Sequence, residues 1–282
     1  MAFVTGGARG FGNAIAVAFS REGARGVAVI DINPQALTEG KKIVESFGTK
    51  CLAIEVDVTK EEDVERAVAE AVKDFGRIDY AASVHPSSSK YDQNRKLMGM
   101  TSQGISQHPL LSNPHIRHFT EDFRKGMVVN STGVFLSTKH ELRQMMKQDF
   151  IEVEEGRVPQ RGAIFNSASV NSQMAIVGSM PYTASKYAVL GTTKAAALEA
   201  RDYSIRVNAI FPGFLLTDLL KPIVGAVNGL PQEVWAGCEA RQGRAAKFEE
   251  VWHVAVLITS PRMSLVNGVN LFVDGGFTIN EA

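Results

Sequence analysis

The stretch "AFVTGGARGFGNAIAVAF", residues 2 to 19, decides the fold class. A short apolar run is followed by a turn in which Gly6, Gly10 and Gly12 lead into a helical pattern. Glycines let the backbone approach a phosphate closely, and a helix N-terminus presents free N–H groups to it. The spacing is G-x-x-x-G-x-G rather than the more familiar G-x-G-x-x-G, and a plain tight turn is the alternative at this point. The stretch predicts a strand, a turn able to hold a pyrophosphate, and a helix.

Further apolar, β-branched runs alternate with helical patterns along the whole chain of 282 residues. Strands of a parallel sheet are apolar throughout because helices cover both of its faces. The alternation predicts a single Rossmann-like α/β domain over residues 1–282, with a doubly wound parallel sheet of about seven strands and helices on both faces. The further runs are "VAVID" (27–31), "CLAIEVDV" (51–58), "IDYAASV" (78–84), "GAIFNSAS" (162–169), "IRVNAI" (205–210) and "VNLFVDG" (269–275).

Two of the helical patterns carry end signals. Asn33 is placed as an N-cap with Pro34 at the first helical position, and Gly48 follows the end of that helix. Thr59 and Glu62 have the spacing of a capping box at the start of the next helix.

Two long segments interrupt the alternation. Residues 85–118 are polar and follow a predicted strand, where such sheets make substrate contacts. Residues 213–244 are apolar but broken by Gly and Pro, a composition that suits a mobile loop over a pocket. We expect both segments to be long loops beside the site.

Composition excludes several classes of partner. Thirty basic residues balance thirty acidic ones, so no charged field favours nucleic acid or an anionic membrane. No run of about 18 apolar residues predicts a membrane span, and the N-terminus has no secretory pattern. The two cysteines form no CxxC motif, which favours a reducing compartment, the cytoplasm. His108, His115 and His118 have no spacing typical of a metal site, so we expect no metal.

The second apolar run ends in Asp31, nineteen residues after Gly12. A carboxylate at about this spacing accepts hydrogen bonds from an adenosine ribose and repels a 2′-phosphate. We therefore expect NAD as cofactor, with NADP less favoured; Arg9 in the glycine turn is a phosphate partner that argues the other way. A plain turn residue at the end of the strand is the alternative for Asp31. Asp57 and Val58, at the end of the third run, are expected beside the adenine ring.

Tyr182 and Lys186 in "PYTASKYAVLG" are four positions apart, so they share one face of a helix. Taken with "TGGARGFG", with Ser169 thirteen positions before Tyr182 and with Asn130 in "VVNSTGVF", this pattern resembles the short-chain dehydrogenase/reductase family. The segments "NAIFPGFLLT" and "GVNLFVDGG" extend the resemblance over the chain. The stretch "RQMMKQDFIEVEEGRVPQRG" is similar to filamentous-fungal members, many of them in secondary metabolism.

The resemblance implies a catalytic set of Asn130, Ser169, Tyr182 and Lys186. Tyr182 is expected to exchange a proton with the substrate oxygen, and Ser169 to hydrogen-bond that oxygen. The Lys186 cation is expected to lower the phenol's pKa and to hold the nicotinamide ribose. Asn130 is expected to hold a water that connects Lys186 to solvent. Family members pair through the helices that carry these residues, which implies a homodimer or homotetramer.

The same resemblance, with the spacing of Asp31, implies a set of cofactor contacts along the carboxyl edge of the sheet. These are Gly6, Arg9, Gly10, Phe11, Gly12, Asp31, Ile32, Asp57, Val58, Ser83, Tyr182, Lys186, Pro212, Gly213, Leu215 and Thr217.

One departure from the family pattern concerns the fourth strand. Ser83, Val84, His85 and Pro86 stand where the family has N-N-A-G, which puts cofactor affinity in question. His85 is either a substrate contact or a plain loop residue.

The favoured hypothesis is an NAD(P)-dependent oxidoreductase that interconverts a secondary alcohol and a ketone on an apolar small molecule. The alternatives are an isomerase, lyase or cyclase without net redox change, and a non-catalytic nucleotide-binding protein.

Overall fold

The computed structural model describes residues 1–84, 119–151, 153, 155–175, 179–216, 221, 224–225 and 231–280. Its centre is a sheet of seven strands in the order β3-β2-β1-β4-β5-β6-β7, with every neighbouring pair parallel. The chain order reverses beside β1, which is the doubly wound arrangement that the sequence predicts. The strands are β1 (Ala2–Thr5), β2 (Gly26–Asp31), β3 (Lys50–Glu55), β4 (Tyr80–Ser83), β5 (Gly162–Ser167), β6 (Ile205–Pro212) and β7 (Asn270–Val273).

Helices cover both faces of this sheet, and an apolar core lies on each side of it. One core joins the sheet to α3, α5 and α6, and the other joins it to α1, α2 and α8. Both faces of each central strand are therefore buried, which explains why these strands are mostly apolar. The helices are α1 (Gly10–Arg21), α2 (Pro34–Glu45), α3 (Glu61–Phe75), α4 (Phe119–Gly126), α5 (Gly133–Met145), α6 (Met180–Ala200), α7 (Gln232–Arg241) and α8 (Phe248–Thr259).

The predicted start of α2 is confirmed. The side chain of Asn33 accepts a hydrogen bond of 3.0 Å from the N–H of Ala36, and Pro34 is the first helical residue. This bond satisfies one of the free N–H groups of the first turn.

The capping box predicted for α3 is wrong. The helix begins at Glu61, one residue later than that pattern requires, and Lys60 is its N-cap. Thr59 instead donates its hydroxyl hydrogen bond of 2.7 Å to the Asp57 carboxylate. The bond from Thr59 to Asp57, two residues earlier, closes a tight local turn before the helix. The Thr59 hydroxyl is therefore not available to cap the first turn of α3.

Residues 213–244 also differ from the expectation of a long loop. Helix α7 occupies Gln232–Arg241 within it, and Trp235 of this helix is 2% exposed. This helix was not predicted because Gly and Pro residues interrupt the segment and because the apolar residues of α7 do not recur at helical spacing. The other expected loop, 85–118, lies outside the described residues, as does His85.

Within the part of the chain that the structure describes, no helix is both long enough and apolar enough to cross a bilayer.

Candidate active site

The candidate site lies along the carboxyl ends of β1, β4, β5 and β6, which are neighbours in the sheet. In doubly wound sheets this edge holds ligands, at the point where the strand order reverses. The glycine turn follows β1, Ser169 follows β5, and Pro212 ends β6. Tyr182 and Lys186 reach the same edge from the first two turns of α6.

Ser169 and Tyr182, thirteen positions apart in the chain, share a side-chain hydrogen bond. Ser169 is 8% exposed and is the N-cap of a 3-10 turn over Val170–Ser172. Its hydroxyl oxygen also accepts a 3.2 Å bond from the Asn171 N–H, which fixes its orientation. The structure therefore brings together the two hydroxyls that the sequence assigned to proton exchange and to the reacting oxygen.

Lys186 lies one turn beyond Tyr182 on the same helix and is 2% exposed. Its Nζ donates a 2.9 Å hydrogen bond to the carbonyl oxygen of Ser167, the last residue of β5. The distance from Nζ to the centroid of the Tyr182 ring is 5.6 Å. Burial lowers the pKa of Lys186 to about 8, because the charged form loses hydration.

The pKa of Tyr182 departs from the sequence-based expectation. Burial raises it above the ordinary value, and the hydrogen bond with Ser169 acts in the opposite direction but is the smaller effect. Lys186 was expected to lower this pKa; its ammonium is turned towards Ser167, and its own charged form is disfavoured by burial. The phenol is therefore protonated at neutral pH.

Asn130 lies behind Tyr182, in a π-helical turn over Met127–Thr132 that joins α4 to α5. Such turns are frequent at functional sites. Its Nδ2 donates a 3.1 Å bond to the Ser185 hydroxyl, and that hydroxyl donates a 2.7 Å bond to the Tyr182 carbonyl oxygen. Its Oδ1 is buried and has no hydrogen-bond partner among the residues described. The water-holding role expected of Asn130 stays a prediction.

The glycine turn has the shape that a dinucleotide phosphate requires. Gly6 and Gly10 have φ of 65° and 54°, a region that favours glycine. A Cβ on Gly12 would lie 2.0 Å from the carbonyl oxygen of Gly6, so no side chain fits there. The first turn of α1, a helix of twelve residues, begins at Gly10, and Phe11 within it packs against the core. These residues fit a pyrophosphate at the helix N-terminus.

Asn13, in the first turns of α1, holds the glycine turn in place, a role that the sequence did not predict. It is 6% exposed, and its Nδ2 lies 3.0 Å from the carbonyl oxygen of Gly7 and 3.2 Å from that of Gly40 in α2. A Cβ on Gly40 would lie 2.2 Å from the Ala8 carbonyl oxygen, so α2 packs directly on the turn. The sequence signal for this role was the position of Asn13, a polar amide in the otherwise apolar first half of α1.

The residues expected at the adenosine end lie beyond β2 and β3. Asp31 ends β2, and its Oδ1 accepts a 3.1 Å bond from the Asn33 N–H. Ile32 is 40% exposed beside it. Arg9 is exposed and forms no ion pair with any described residue. At the expected adenosine end of the cofactor site, the Asp31 carboxylate is thus oriented by a hydrogen bond, whereas the exposed Arg9 side chain is not held by an ion pair with a described residue.

Asp57 and Val58 follow the carboxyl end of β3. Asp57 accepts hydrogen bonds from the N–H and the hydroxyl of Thr59, at 3.1 and 2.7 Å. Val58 packs on α5, where a Cβ on Gly133 would lie 3.0 Å from its Cγ2. Their contact with adenine stays a prediction.

The altered end of β4 leaves the sheet intact. Ser83 pairs in register with Thr5 of β1 on one side and with Asn166 of β5 on the other. Its hydroxyl is buried and has no hydrogen-bond partner among the described residues. The smaller side chain therefore fits between the two neighbouring strands without displacing them.

The segment expected at the nicotinamide end begins at the end of β6. Gly213 donates its N–H to the Val273 carbonyl oxygen at 3.0 Å, which continues the pairing with β7. Leu215 is 8% exposed and belongs to the apolar core rather than to an open surface. Thr217 lies outside the described residues.

No group of three or more His, Cys, Asp or Glu side chains in the described part of the chain is arranged to hold a metal ion. His108, His115 and His118 lie outside that part.

Comparison with known proteins agrees with this geometry. Residues 6–278 match the family model described as Enoyl-(Acyl carrier protein) reductase. The chain is 34% identical to the short-chain dehydrogenase anuF of Penicillium roqueforti (strain FM164), over 99% of this chain and 96% of that protein. It is 32% identical to a mitochondrial borneol dehydrogenase of Lavandula x intermedia, over 99% and 90%. The crystal structure of NAD+-bound xylitol dehydrogenase superposes with a TM-score of 0.76 at 28% identity, covering 98% of this chain and 97% of that one.

The chain belongs to the short-chain dehydrogenase/reductase family. It is an oxidoreductase of the kind that acts on CH–OH and C=O groups with a nicotinamide cofactor.

Proposed function

We propose that this protein is an NAD-dependent dehydrogenase or ketoreductase that interconverts a secondary alcohol and a ketone on an apolar small molecule. One observation carries the proposal: the Tyr182 phenol is hydrogen-bonded to Ser169 and has the Lys186 ammonium one helical turn behind it. A phenol in this setting can exchange a proton with a substrate oxygen held beside it. The glycine turn lies along the same edge of the sheet.

The three side chains have separate roles. Ser169 donates a hydrogen bond to the substrate oxygen, where negative charge develops during the reaction. Tyr182 takes the hydroxyl proton in the oxidative direction and returns it in the reductive direction. Lys186 is held by the Ser167 carbonyl; its charge favours the ionised phenol and works against the burial that raises the pKa of Tyr182. A bound nicotinamide supplies the acceptor or donor of the hydride.

The preference for NAD is supported by Asp31. Its carboxylate is oriented by the Asn33 N–H at the end of β2, where the ribose of an adenosine is expected. A 2′-phosphate there would meet this negative charge. Arg9, the phosphate partner that argues for NADP, is exposed and forms no ion pair with Asp31 among the described residues.

An apolar substrate is supported by two observations. The aromatic rings of Phe214, Trp235 and Phe277 pack together just beyond β6, with centroid distances of 5.8 and 4.7 Å from Phe214. The borneol dehydrogenase relative is named for an alcohol with an apolar carbon skeleton. The similarity to a Penicillium roqueforti protein is consistent with a substrate from fungal secondary metabolism.

We also propose a homodimer or homotetramer formed through α5 and α6. A groove of about 550 Å³ runs between these helices and is lined by Phe135, Leu142 and Met146 among others. Phe135 is 50% exposed and Tyr187 is 45% exposed. Exposed apolar side chains on α5 and on α6, the helix that carries Tyr182 and Lys186, suit burial against a second copy.

The alternative function, an isomerase, lyase or cyclase without net redox change, was suggested by the altered sequence at the end of β4. The in-register pairing of Ser83 on both sides keeps the supporting sheet intact, and His85 and Pro86 lie outside the described residues, so this alternative stays open. The test is a panel of apolar secondary alcohols and ketones, assayed with each nucleotide by nicotinamide absorbance. Net absorbance change with product formation supports the proposal. A substrate converted without any change in absorbance would support an isomerase or lyase instead.

A further inference from the structure

Gln242 makes an unusual set of contacts at the edge of the site. It follows α7 and is 4% exposed. Its Oε1 accepts a 2.7 Å bond from the Phe214 N–H, and its Nε2 donates a 3.2 Å bond to the Phe214 carbonyl oxygen. The same Nε2 donates a 3.1 Å bond to the Arg244 carbonyl oxygen. The side-chain amide thus pairs with both backbone polar groups of Phe214, as a neighbouring strand would.

Two glycines make room for this amide. A Cβ on Gly213 would lie 2.2 Å from the Gln242 Oε1, and a Cβ on Gly275 would lie 2.2 Å from the Gln242 carbonyl oxygen. Gly275 has φ of 59°, which a glycine adopts without strain. A side chain at position 213 or 275 would overlap with Gln242 at these distances, so Gln242 can occupy this place only because both residues are glycine.

The residue held by Gln242 also anchors the aromatic packing beyond β6. The ring of Phe214 packs edge-on against Trp235 of α7 and at a tilt against Phe277 of the C-terminal segment. Arg241, next to Gln242, lies over the Phe277 ring at 4.6 Å and donates a 3.2 Å bond to its carbonyl oxygen. The end of β6, the end of α7 and the C-terminal segment therefore meet at Phe214.

We propose that Gln242 is a positioning residue for nicotinamide binding, acting through the backbone of Phe214. This inference rests on the proposed function, which places the nicotinamide end of the cofactor against Pro212 and Gly213. Phe214 continues directly from those two residues, so fixing its N–H and C=O fixes the direction of the preceding backbone. Buried backbone groups without partners are costly, so loss of the amide forces this segment to rearrange.

A second glutamine provides a matched control. Gln148 is 9% exposed, and its side-chain amide likewise pairs with both polar groups of one residue: Oε1 with the Ile78 N–H and Nε2 with the Ile78 carbonyl oxygen, each at 2.8 Å. Ile78 precedes β4, so this pairing lies at the amino end of the sheet, opposite the site. The two glutamines make the same kind of bond at opposite ends of the sheet.

The experiment measures the Kd of NAD by calorimetry for the wild type, Gln242→Met and Gln148→Met, with thermal unfolding of each. We expect both substitutions to lower Tm, and only Gln242→Met to weaken NAD binding, by about 10-fold or more. Steady-state assays should show the same split, with KM for NAD raised in Gln242→Met and unchanged in Gln148→Met.

A second substitution covers the case in which Gln242→Met fails to fold. In Gln242→Glu the protonated carboxyl group keeps the acceptor and one of the two donor bonds of the amide, whereas the ionised form turns a negative charge towards the Phe214 and Arg244 carbonyl oxygens. Relative to the wild type, NAD binding by Gln242→Glu should be weaker by less than about threefold at about pH 6 and by about 10-fold at about pH 9. Equal NAD Kd in all variants, with intact wild-type binding, would overturn the positioning role alone. Absence of NAD binding by the wild type would overturn the proposed function and this inference together.

Discussion

The ammonium of Lys186 is hydrogen-bonded to the carbonyl oxygen of Ser167 at 2.9 Å, while Ser169, two residues further along, is hydrogen-bonded to Tyr182. One short stretch at the end of β5 therefore holds both the cation and the phenol. This relationship ties the catalytic residues of α6 to the sheet.

The cofactor preference should depend on Asp31. We expect thermal shift with NAD to exceed that with NADP at equal concentration, because only the nucleotide that binds the folded state stabilises it. In Asp31→Ala the difference should shrink, since the charge that opposes a 2′-phosphate is lost. Arg25→Ala serves as the control and should leave NAD binding within about threefold, because Arg25 is exposed just before β2, at the amino end of the sheet and away from the expected cofactor contacts. Equal stabilisation of the wild type by both nucleotides would contradict the assignment.

Glu141 predicts an unusual dependence of stability on pH. It is fully buried in α5, both carboxylate oxygens have no partner among the described residues, and burial raises its pKa to about 8. The unfolded chain loses this proton near pH 4.5, whereas the folded chain keeps it up to about pH 8. The folded state thus binds more protons in that window, so stability falls as pH rises through it, by about 1.4 kcal/mol per pH unit from this group.

Chemical denaturation of the wild type and Glu141→Gln across this window measures the effect. The free energies of unfolding should be similar near pH 4, and Glu141→Gln should become the more stable protein as the pH rises. Parallel pH profiles for the two proteins would show that the carboxyl group is not buried as described.

Arg206 predicts a large contribution to stability. This β6 residue is 4% exposed, and its guanidinium donates to the Gln160 side chain and to carbonyl oxygens at the end of α8 and at Val266. Burial lowers its pKa to about 10, which leaves it charged at neutral pH. Arg206→Leu removes the donor to the Gln160 side chain and to the carbonyl oxygens at the end of α8, while the Val266 carbonyl oxygen keeps its bond from the Asn208 side chain. We therefore expect a loss of about 3 to 5 kcal/mol in the free energy of unfolding.

Exposed Arg201 gives the comparison for that measurement. It is bonded only to its neighbour Asp202 among the pairs described, on the surface, and Arg201→Leu should change stability by less than about 1 kcal/mol. A similar effect of the two substitutions in urea denaturation would argue against the role of Arg206.

The sequence predicted the features that depend on local chemistry. The glycine turn, the N-cap at Asn33 and the alternation of buried strands with helices all follow from short stretches, and the structure has each of them. The meeting of Ser169 with Tyr182 was also predicted, because the family pattern fixes their spacing.

Features set by tertiary packing were not predictable in this way. The place of Gln242 depends on two glycines that lie 29 and 33 residues away from it in the chain, at positions 213 and 275. The Thr59 hydroxyl donates its hydrogen bond to the nearby Asp57 carboxylate and does not cap α3. Helix α7 formed although the apolar residues in its sequence have no helical spacing. The pKa of Tyr182 depends on burial, which no spacing of residues reports.

The most direct test of the central claim compares Tyr182→Phe with Tyr203→Phe, using any substrate found in the panel. Tyr203 is 46% exposed at the end of α6 and serves as the matched control. We predict that Tyr182→Phe lowers kcat by about 100-fold or more while its Kd for NAD stays within about threefold of the wild type, and that Tyr203→Phe changes neither value. A Tyr182→Phe variant that retains wild-type turnover would contradict the assignment of this tyrosine as the proton-exchanging residue.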